Sequence, residues 1–371
     1  MDSQNKNCQK QLNLSRCSEL GVNVSLLLFI TLTLKENLQV IRMGPAVAIA
    51  LVFIGCCSNV VFLELLVKED PGSGNLITFS QFLFIALEGF IFTSKFGTRK
   101  PKIGLYDYFI LVVMFFIVSV CNNYAFNFNI PMPLHMIFRA GSLIANMIMG
   151  MLILRKRYAA PKIISIIMIT AGIVICTLES GKEVKATDPK DVNSDPATDY
   201  FWWVVGIILL TVALFMSARM GIYQEVLYTR HGKHPKEALF YTHLMPLPGF
   251  LLLYSDIWSH WLRALDSPPL TVLGFTGPST IIYLVGNMLT QYLCISSVYV
   301  LTTECSSLTV TLVVTLRKFL SLLFSIVYFQ NEFTLSHWIG TTLVFAGTAI
   351  FTELVQRIAG MFAGPDPKKK D

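Results

Sequence analysis

Charge is scarce in this chain. Only 14% of its 371 residues are Asp, Glu, Lys or Arg, while 54% are hydrophobic. A mean hydropathy of +0.59 excludes a water-soluble domain. Catalytic signatures are missing as well. There is no H-E-x-x-H, no Walker A loop, no G-x-G-x-x-G and no G-x-S-x-G, so nothing points to an enzyme. The one glycine-rich stretch, Gly72-Ser73-Gly74, is read as a turn between spans. Eight cysteines (Cys8, Cys17, Cys56, Cys57, Cys121, Cys176, Cys294 and Cys305) lack C-x-x-C spacing and mostly lie in apolar stretches. Neither a zinc site nor a disulfide framework follows from them, and they are read as small packing residues. No metal or cofactor is expected. The net charge of +6 does not imply nucleic acid, because the basic residues sit between apolar runs, where membrane topology accounts for them.

What the chain has in abundance is apolar length. Residues 1–42 are a polar extension whose one apolar run, Val24 to Leu34, is too short to cross a bilayer. Asn13 and Asn23 head N-x-S sequons there, which matter only on a luminal segment. Ten candidate spans follow, at 44–66, 76–94, 106–124, 131–154, 160–178, 202–220, 239–254, 278–298, 303–328 and 336–355. Pro246 and Pro248 make the seventh the least regular.

The loops give the spans an orientation. Loops after even-numbered spans, with the opening turn of span five and the tail, hold fifteen Lys or Arg, from Lys95 to Lys370. Loops after odd-numbered spans hold five: Lys68, Lys182, Lys185, Lys190 and Arg263. The positive-inside rule then puts both termini in the cytosol.

An internal repeat divides the spans. Ala171-Gly172-Ile173-Val174-Ile175-Cys176-Thr177 in span five matches Ala346-Gly347-Thr348-Ala349-Ile350-Phe351-Thr352 in span ten, and Arg139 in span four corresponds to Arg317 in span nine. Five spans per unit is an odd number, which forces the two copies into opposite orientations, an architecture of secondary transporters. The expected fold is an all-α polytopic membrane protein, ten transmembrane helices in two inverted five-helix repeats. Its parts are the extension 1–42, the first repeat 43–180, an acidic luminal loop 181–200, the second repeat 201–355 and a cytosolic tail 356–371. The lipid bilayer is one partner; a homo-oligomer is left open.

Span nine carries the sharpest signal, Arg317 and Lys318 in the middle of an apolar run. A cation at membrane depth costs roughly 2.5–3.5 kcal/mol on insertion scales. Ser307, Thr311, Thr315, Lys318 and Ser325 share one helical stripe, and Arg317 points about 100° away. Lys318 is thus expected to face a cavity, and Arg317 either does so or pairs with a carboxylate on a neighbouring helix. Span four repeats the logic with His135, Arg139, Ser142 and Asn146. Arg139 and Lys318 then approach one cavity from opposite faces and suit a diphosphate, unless Arg139 is tied to Glu64 or Glu88. In span eight, Asn287, Thr290, Gln291, Cys294 and Ser297 form another polar face. It either reads a base and sugar hydroxyls or joins helices. Asn122, Asn123, Tyr124, Phe240, Tyr241 and His243 lie at span ends, as an interfacial belt or a stacking platform.

Cys56-Cys57-Ser58-Asn59-Val60, the run from Asn122-Asn123-Tyr124 through Pro133 to Arg139, and Thr315-Leu316-Arg317-Lys318-Phe319 together resemble the nucleotide-sugar transporters of the drug/metabolite transporter superfamily. The resemblance covers residues 43–355 and is nearest to carriers of UDP-xylose and UDP-N-acetylglucosamine. It implies import of these UDP-sugars from the cytosol into the Golgi or endoplasmic reticulum lumen, in exchange for UMP. A related GDP-mannose carrier has Phe-Tyr-Asn-Asn on span seven and Gly-Ala-Leu-Asn-Lys on span nine. By that resemblance Phe240, Tyr241 and Lys318 are nucleotide contacts, while Thr242 and His243 depart and argue against a guanine carrier. The substrate-binding set expected is Lys318, Arg317, Arg139, His135, Asn123, Tyr124, Phe240, Tyr241, Asn287, Gln291 and Thr315. The tail, with Lys368 and Lys369, resembles a dilysine retrieval signal read by coat proteins. The rival readings are an exporter of an amine or amino acid on the same fold, for which Glu64 and Glu88 are available acids, and a membrane-embedded transferase.

Overall fold

The computed structural model describes residues 45–353, apart from 129, 156, 187–195, 233, 273–274, 305–306 and 332. The extension 1–42, most of the acidic loop and the tail with Lys368 and Lys369 lie outside the described residues. The chain divides into two units, 1–50 and 51–371. Of the first, only the opening turns of a helix at 45–50 are described.

Twelve helices account for most of the described chain: α1 (Pro45–Glu69), α2 (Gly74–Phe92), α3 (Leu105–Ala125), α4 (Met132–Ala140), α5 (Ser142–Leu154), α6 (Ala160–Ala186), α7 (Pro196–His231), α8 (Pro235–Leu244), α9 (Tyr254–Leu265), α10 (Ser279–Glu304), α11 (Ser307–Phe329) and α12 (Leu335–Phe351). A two-stranded antiparallel hairpin, β1 (Pro269–Val272) with β2 (Phe275–Pro278), pairs Leu270 with Gly277 and Thr271 with Thr276. The all-α expectation missed it, because four-residue strands beside prolines leave no periodic signal.

Seven of these segments are long and apolar enough to cross a membrane among the described residues: α1, α2, α3, the α4–α5 pair, α6, α7 and α10. The chain is therefore a multi-pass membrane protein. Ten spans were expected, and the difference falls on spans seven, nine and ten. Span seven is not one helix. Pro246 and Pro248 lack the N–H that would continue α8, so the chain passes into a 3-10 segment, Leu247–Leu253, and then into α9. Span nine is the 23-residue α11, long enough to cross, with the side chains of 307–309, 311 and 312 outside the described residues. Span ten is the 17-residue α12, shorter than the ~20 residues of a full crossing.

Span four is also broken, at Gly141, where the backbone N–H bonds back to the Phe138 carbonyl at 2.9 Å. Arg139 thereby falls in the last turn of α4, where the negative end of the helix dipole favours a cation.

Among the described residues there are two larger apolar cores and a smaller one that joins α3, α7 and α8 through Tyr108, Leu111, Leu227 and Ala238. One of the larger cores joins α4, α5, α6, α7, α11 and α12 through Leu134, Ile137, Ile169, Ile173, Leu210, Leu322 and Val344. The other joins α1, α2, the 3-10 segment, α9 and α10 through Leu66, Ile77, Phe82, Phe250, Ile257 and Leu284. Each core draws helices from both halves of the sequence. The two matched heptapeptides lie on α6 and α12, which pack against each other. Gly172 meets Gly340 and Val344, and Gly347 meets Ser165 and Ile169, so the pair runs antiparallel. The helices touch because these positions have no side chain. A Cβ on Gly347 would stand 2.8 Å from the Ser165 carbonyl oxygen, closer than packing allows.

Gly347→Leu should therefore force α6 from α12 and lower the apparent Tm in detergent by several degrees, consistent with overpacking costs of about 1–3 kcal/mol. Gly221→Leu is the control, since a Cβ there meets nothing within 4 Å. Equal melting of the two variants would refute the contact.

Candidate functional site

The helices of both larger cores enclose a cavity of about 540 Å³, within the range of small-molecule sites. Its wall takes Cys56, Asn59, Val60 and Leu63 from α1, Val118 and Asn122 from α3, Met136, Phe138, Arg139 and Ala140 from α4, and Ser142 from α5. Leu210, Ala213, Leu214 and Ser217 of α7, Gln291, Cys294, Ile295 and Val298 of α10, Arg317, Lys318, Ser321 and Leu322 of α11, and Phe345 of α12 complete it. A smaller cavity of about 270 Å³ adjoins at Ala140, Lys318 and Phe345 and adds Val310, Val314, Thr315, Thr348 and Thr352.

Three cations share this wall. Arg139 and Lys318 are deep in the bundle but open to the cavity, and the charges of Arg139, Arg317 and Lys318 are close enough to repel one another. No Asp or Glu lines either cavity, and among the described residues none of the three cations forms a salt bridge. The structural alternatives for the cations thus fall away. Glu64 is buried and accepts from Ser325 Oγ at 2.6 Å and from Asn331 Nδ2 at 2.6 Å. Glu88 accepts from the Tyr292 hydroxyl at 2.9 Å. Arg317 has no carboxylate partner either. Its Nη1 donates to Cys294 Sγ at 3.3 Å, and its buried Nε has no partner. The cavity spans a wide enough arc of α11 to receive two consecutive residues, which a single stripe did not anticipate.

The cysteine reading needs a correction. Cys56 and Cys294 form a disulfide between α1 and α10, 238 residues apart in sequence, on the cavity wall. Spacing along the chain cannot reveal a pair that only helix packing brings together.

The remaining expected site residues divide cleanly. Gln291 lies on the main wall, and Thr315 lines the adjoining cavity beside Lys318. The others lie off both walls, in packed contacts where those are seen. Asn287 exchanges side-chain-to-backbone hydrogen bonds with Asn59 (3.1 and 3.2 Å) and accepts from Gln81. Asn123 donates to Thr78 Oγ1 at 2.8 Å and to Asn75 Oδ1 at 3.2 Å. Phe240 is buried against Gly89. Tyr241 stacks on Tyr108 with centroids 4.9 Å apart. His135 is buried against Phe126, its Nε2 unpartnered, and Tyr124 is half-buried outside both linings. The two amides satisfy their polar capacity inside the bundle, as buried polar groups generally do. Sequence reasoning missed Asn59, Ser217 and Ser321 as wall residues. Ser217 had a faint signal, following Leu210 and Leu214 at helical spacing.

Membrane-crossing helices around a chamber with three cations and no acid define an integral membrane transporter for an anionic solute. The chain belongs to the UAA transporter family, whose model matches residues 44–355, so the resemblance read from the sequence holds. Members of this family are transporters, not enzymes. The chain is 60% identical over 326 residues, 86% of its length and 93% of the relative's, to the "Endoplasmic reticulum GDP-fucose transporter" of Drosophila melanogaster. It is 57% identical over 330 residues, 88% of this chain and 99% of the relative, to the "UDP-xylose and UDP-N-acetylglucosamine transporter" of Danio rerio. It is 56% identical over 330 residues, with the same coverage, to the "Nucleotide sugar transporter SLC35B4" of Homo sapiens.

Thermal unfolding distinguishes wall from scaffold. Lys318→Met should leave the apparent Tm unchanged or raise it, because an unpaired cation at membrane depth is a cost to the fold. Asn287→Ala removes a bonded buried amide and should lower it, by about 1–3 kcal/mol per partner left unsatisfied. A large loss in Lys318→Met would make that lysine structural.

Proposed function

We propose that the chain is an antiporter that imports UDP-sugars, UDP-N-acetylglucosamine and UDP-xylose, from the cytosol into the lumen of the Golgi or endoplasmic reticulum in exchange for UMP. The observation that carries the reading is the acid-free wall bearing Arg139, Arg317 and Lys318. Guanidinium forks and a compact ammonium suit the diphosphate of a nucleotide sugar, and the zebrafish relative's name supplies the solute. The exporter of an amine or amino acid finds no support, since a cationic substrate would want carboxylates on the wall and Glu64 and Glu88 are engaged elsewhere. The Drosophila relative's name favours a second reading, a GDP-sugar in the same cavity.

The electrostatics favour exchange over one-way transport. Empty, the cavity holds three mutually repelling cations, and closing protein around them without an anion carries a desolvation cost. Loaded with either a UDP-sugar or UMP, those charges are matched. Both solutes share uridine and a phosphate, so one site serves each direction of the cycle. In this reading the ten spans form inverted repeats at 43–180 and 201–355 with both termini cytosolic, and the antiparallel α6–α12 pair is consistent with it. Lys368 and Lys369 act as the retrieval signal.

Counterflow into proteoliposomes loaded with UMP, CMP, GMP or nothing tests this reading, with labelled UDP-N-acetylglucosamine or UDP-xylose outside. Internal UMP should stimulate uptake, and Lys318→Glu should abolish it while the protein stays folded. Uptake indifferent to the preload would remove the exchange mechanism, and activity retained in Lys318→Glu would remove that lysine from the site.

A further inference from the structure

Where the lining of the main cavity ends on α1 and α11, a small group of polar contacts joins the two helices. Helices α1 and α11 run parallel, since Cys57 meets Ser321 and, further along both helices, Glu64 meets Ser325. Cavity-lining residues stop at Leu63 on α1 and at Leu322 on α11. Immediately beyond them the buried Glu64 carboxylate accepts from Ser325 Oγ and Asn331 Nδ2, both at 2.6 Å. One turn further, Lys68 Nζ donates to the Phe329 carbonyl at 3.0 Å and lies 4.7 Å from that ring's centroid. At the other end the wall instead continues into the adjoining cavity along Val314 and Val310.

These bonds differ in kind from the neighbouring amide network. Asn59, Asn287 and Gln81 lie on α1, α10 and α2, and those three helices share one apolar core. Glu64 sits on a helix of that core, whereas Ser325 sits on α11, which belongs to the other. The Glu64 contacts therefore join helices of two different apolar cores, both of which contribute to the cavity wall. A transporter that alternates its access must part such helices at whichever end of the cavity is closed.

We propose that Glu64 is a positioning residue for transport, the latch whose hydrogen bonds to Ser325 and Asn331 hold this end of the cavity closed. A carboxylate suits this role because its two oxygens take two donors at once, and hydrogen bonds to a charged group are stronger than neutral ones. Breaking them exposes the same groups to water in the newly opened end, so their loss is compensated there and the latch is reversible. The latch rests on the transporter reading alone and not on which nucleotide sugar is carried.

The test introduces a reporter, Leu63→Cys, at the margin of the cavity and measures its labelling by a membrane-impermeant maleimide from the closed side. The protein is the full chain, oriented in proteoliposomes. Adding Glu64→Ala should raise the labelling rate by about tenfold or more, the factor expected for losing charge-assisted hydrogen bonds. Counterflow should show a raised KM on the open side, because fewer molecules face that way. Asn331→Ala, which removes one donor, should change both in the same direction by less, and it serves where Glu64→Ala does not fold. A lowered Tm without a change in labelling would make Glu64 a structural residue and overturn the proposal. Labelling needs no substrate, so a failure of the UDP-sugar reading appears as absent exchange with the labelling change intact.

Discussion

Three positive charges without a counter-charge, held in the middle of a lipid-facing bundle, are the constraint to which the rest of this structure answers. Arg139, Arg317 and Lys318 repel one another, and hydrocarbon around them would be prohibitive. They persist because the helices leave a chamber between the two larger apolar cores. The fold supports them locally as well. Breaking span four at Gly141 puts Arg139 at the carboxyl end of a short helix, and Arg317 rests against the sulfur of Cys294. What these devices leave unmet is charge, which in the proposed function an anionic solute supplies.

The same separation into two larger cores explains why the chamber exists and how it could open. Among the helices of each core, contacts include glycine on glycine between α6 and α12, and the Cys56–Cys294 bond and the Asn59–Asn287–Gln81 amides among α1, α2 and α10. Between the cores, beyond the cavity, the ties include polar bonds centred on Glu64 and Lys68. Apolar interdigitation resists shear, because interiors are packed to crystal-like density. Hydrogen bonds can be exchanged for water with little net change.

Reading the sequence reached far where the signal was local and physical. Apolar runs gave nearly every membrane helix, and intramembrane cations marked the chamber before any helix was placed beside another. Reading failed where the answer depended on a partner distant in sequence. Asn287 and Gln291 lie one helical turn apart on α10, yet only Gln291 meets the cavity, while Asn287 is held by Asn59 and Gln81. Nothing along α10 distinguishes the two amides. The disulfide was missed for the same reason. Span seven failed differently, since its prolines were visible but the direction taken after them was not.

By itself the sequence determined that this chain lives in a membrane and that it carries cations at depth, because those properties follow from side-chain chemistry and its order along the chain. The tertiary structure decided which polar residues face the chamber and which bind helix to helix. It decided that Glu64 bonds to Ser325 and Asn331 and does not neutralise Arg139. A polar side chain in a bundle has one chemistry but many possible partners, and only the packing of α1, α10 and α11 around the same space selects among them.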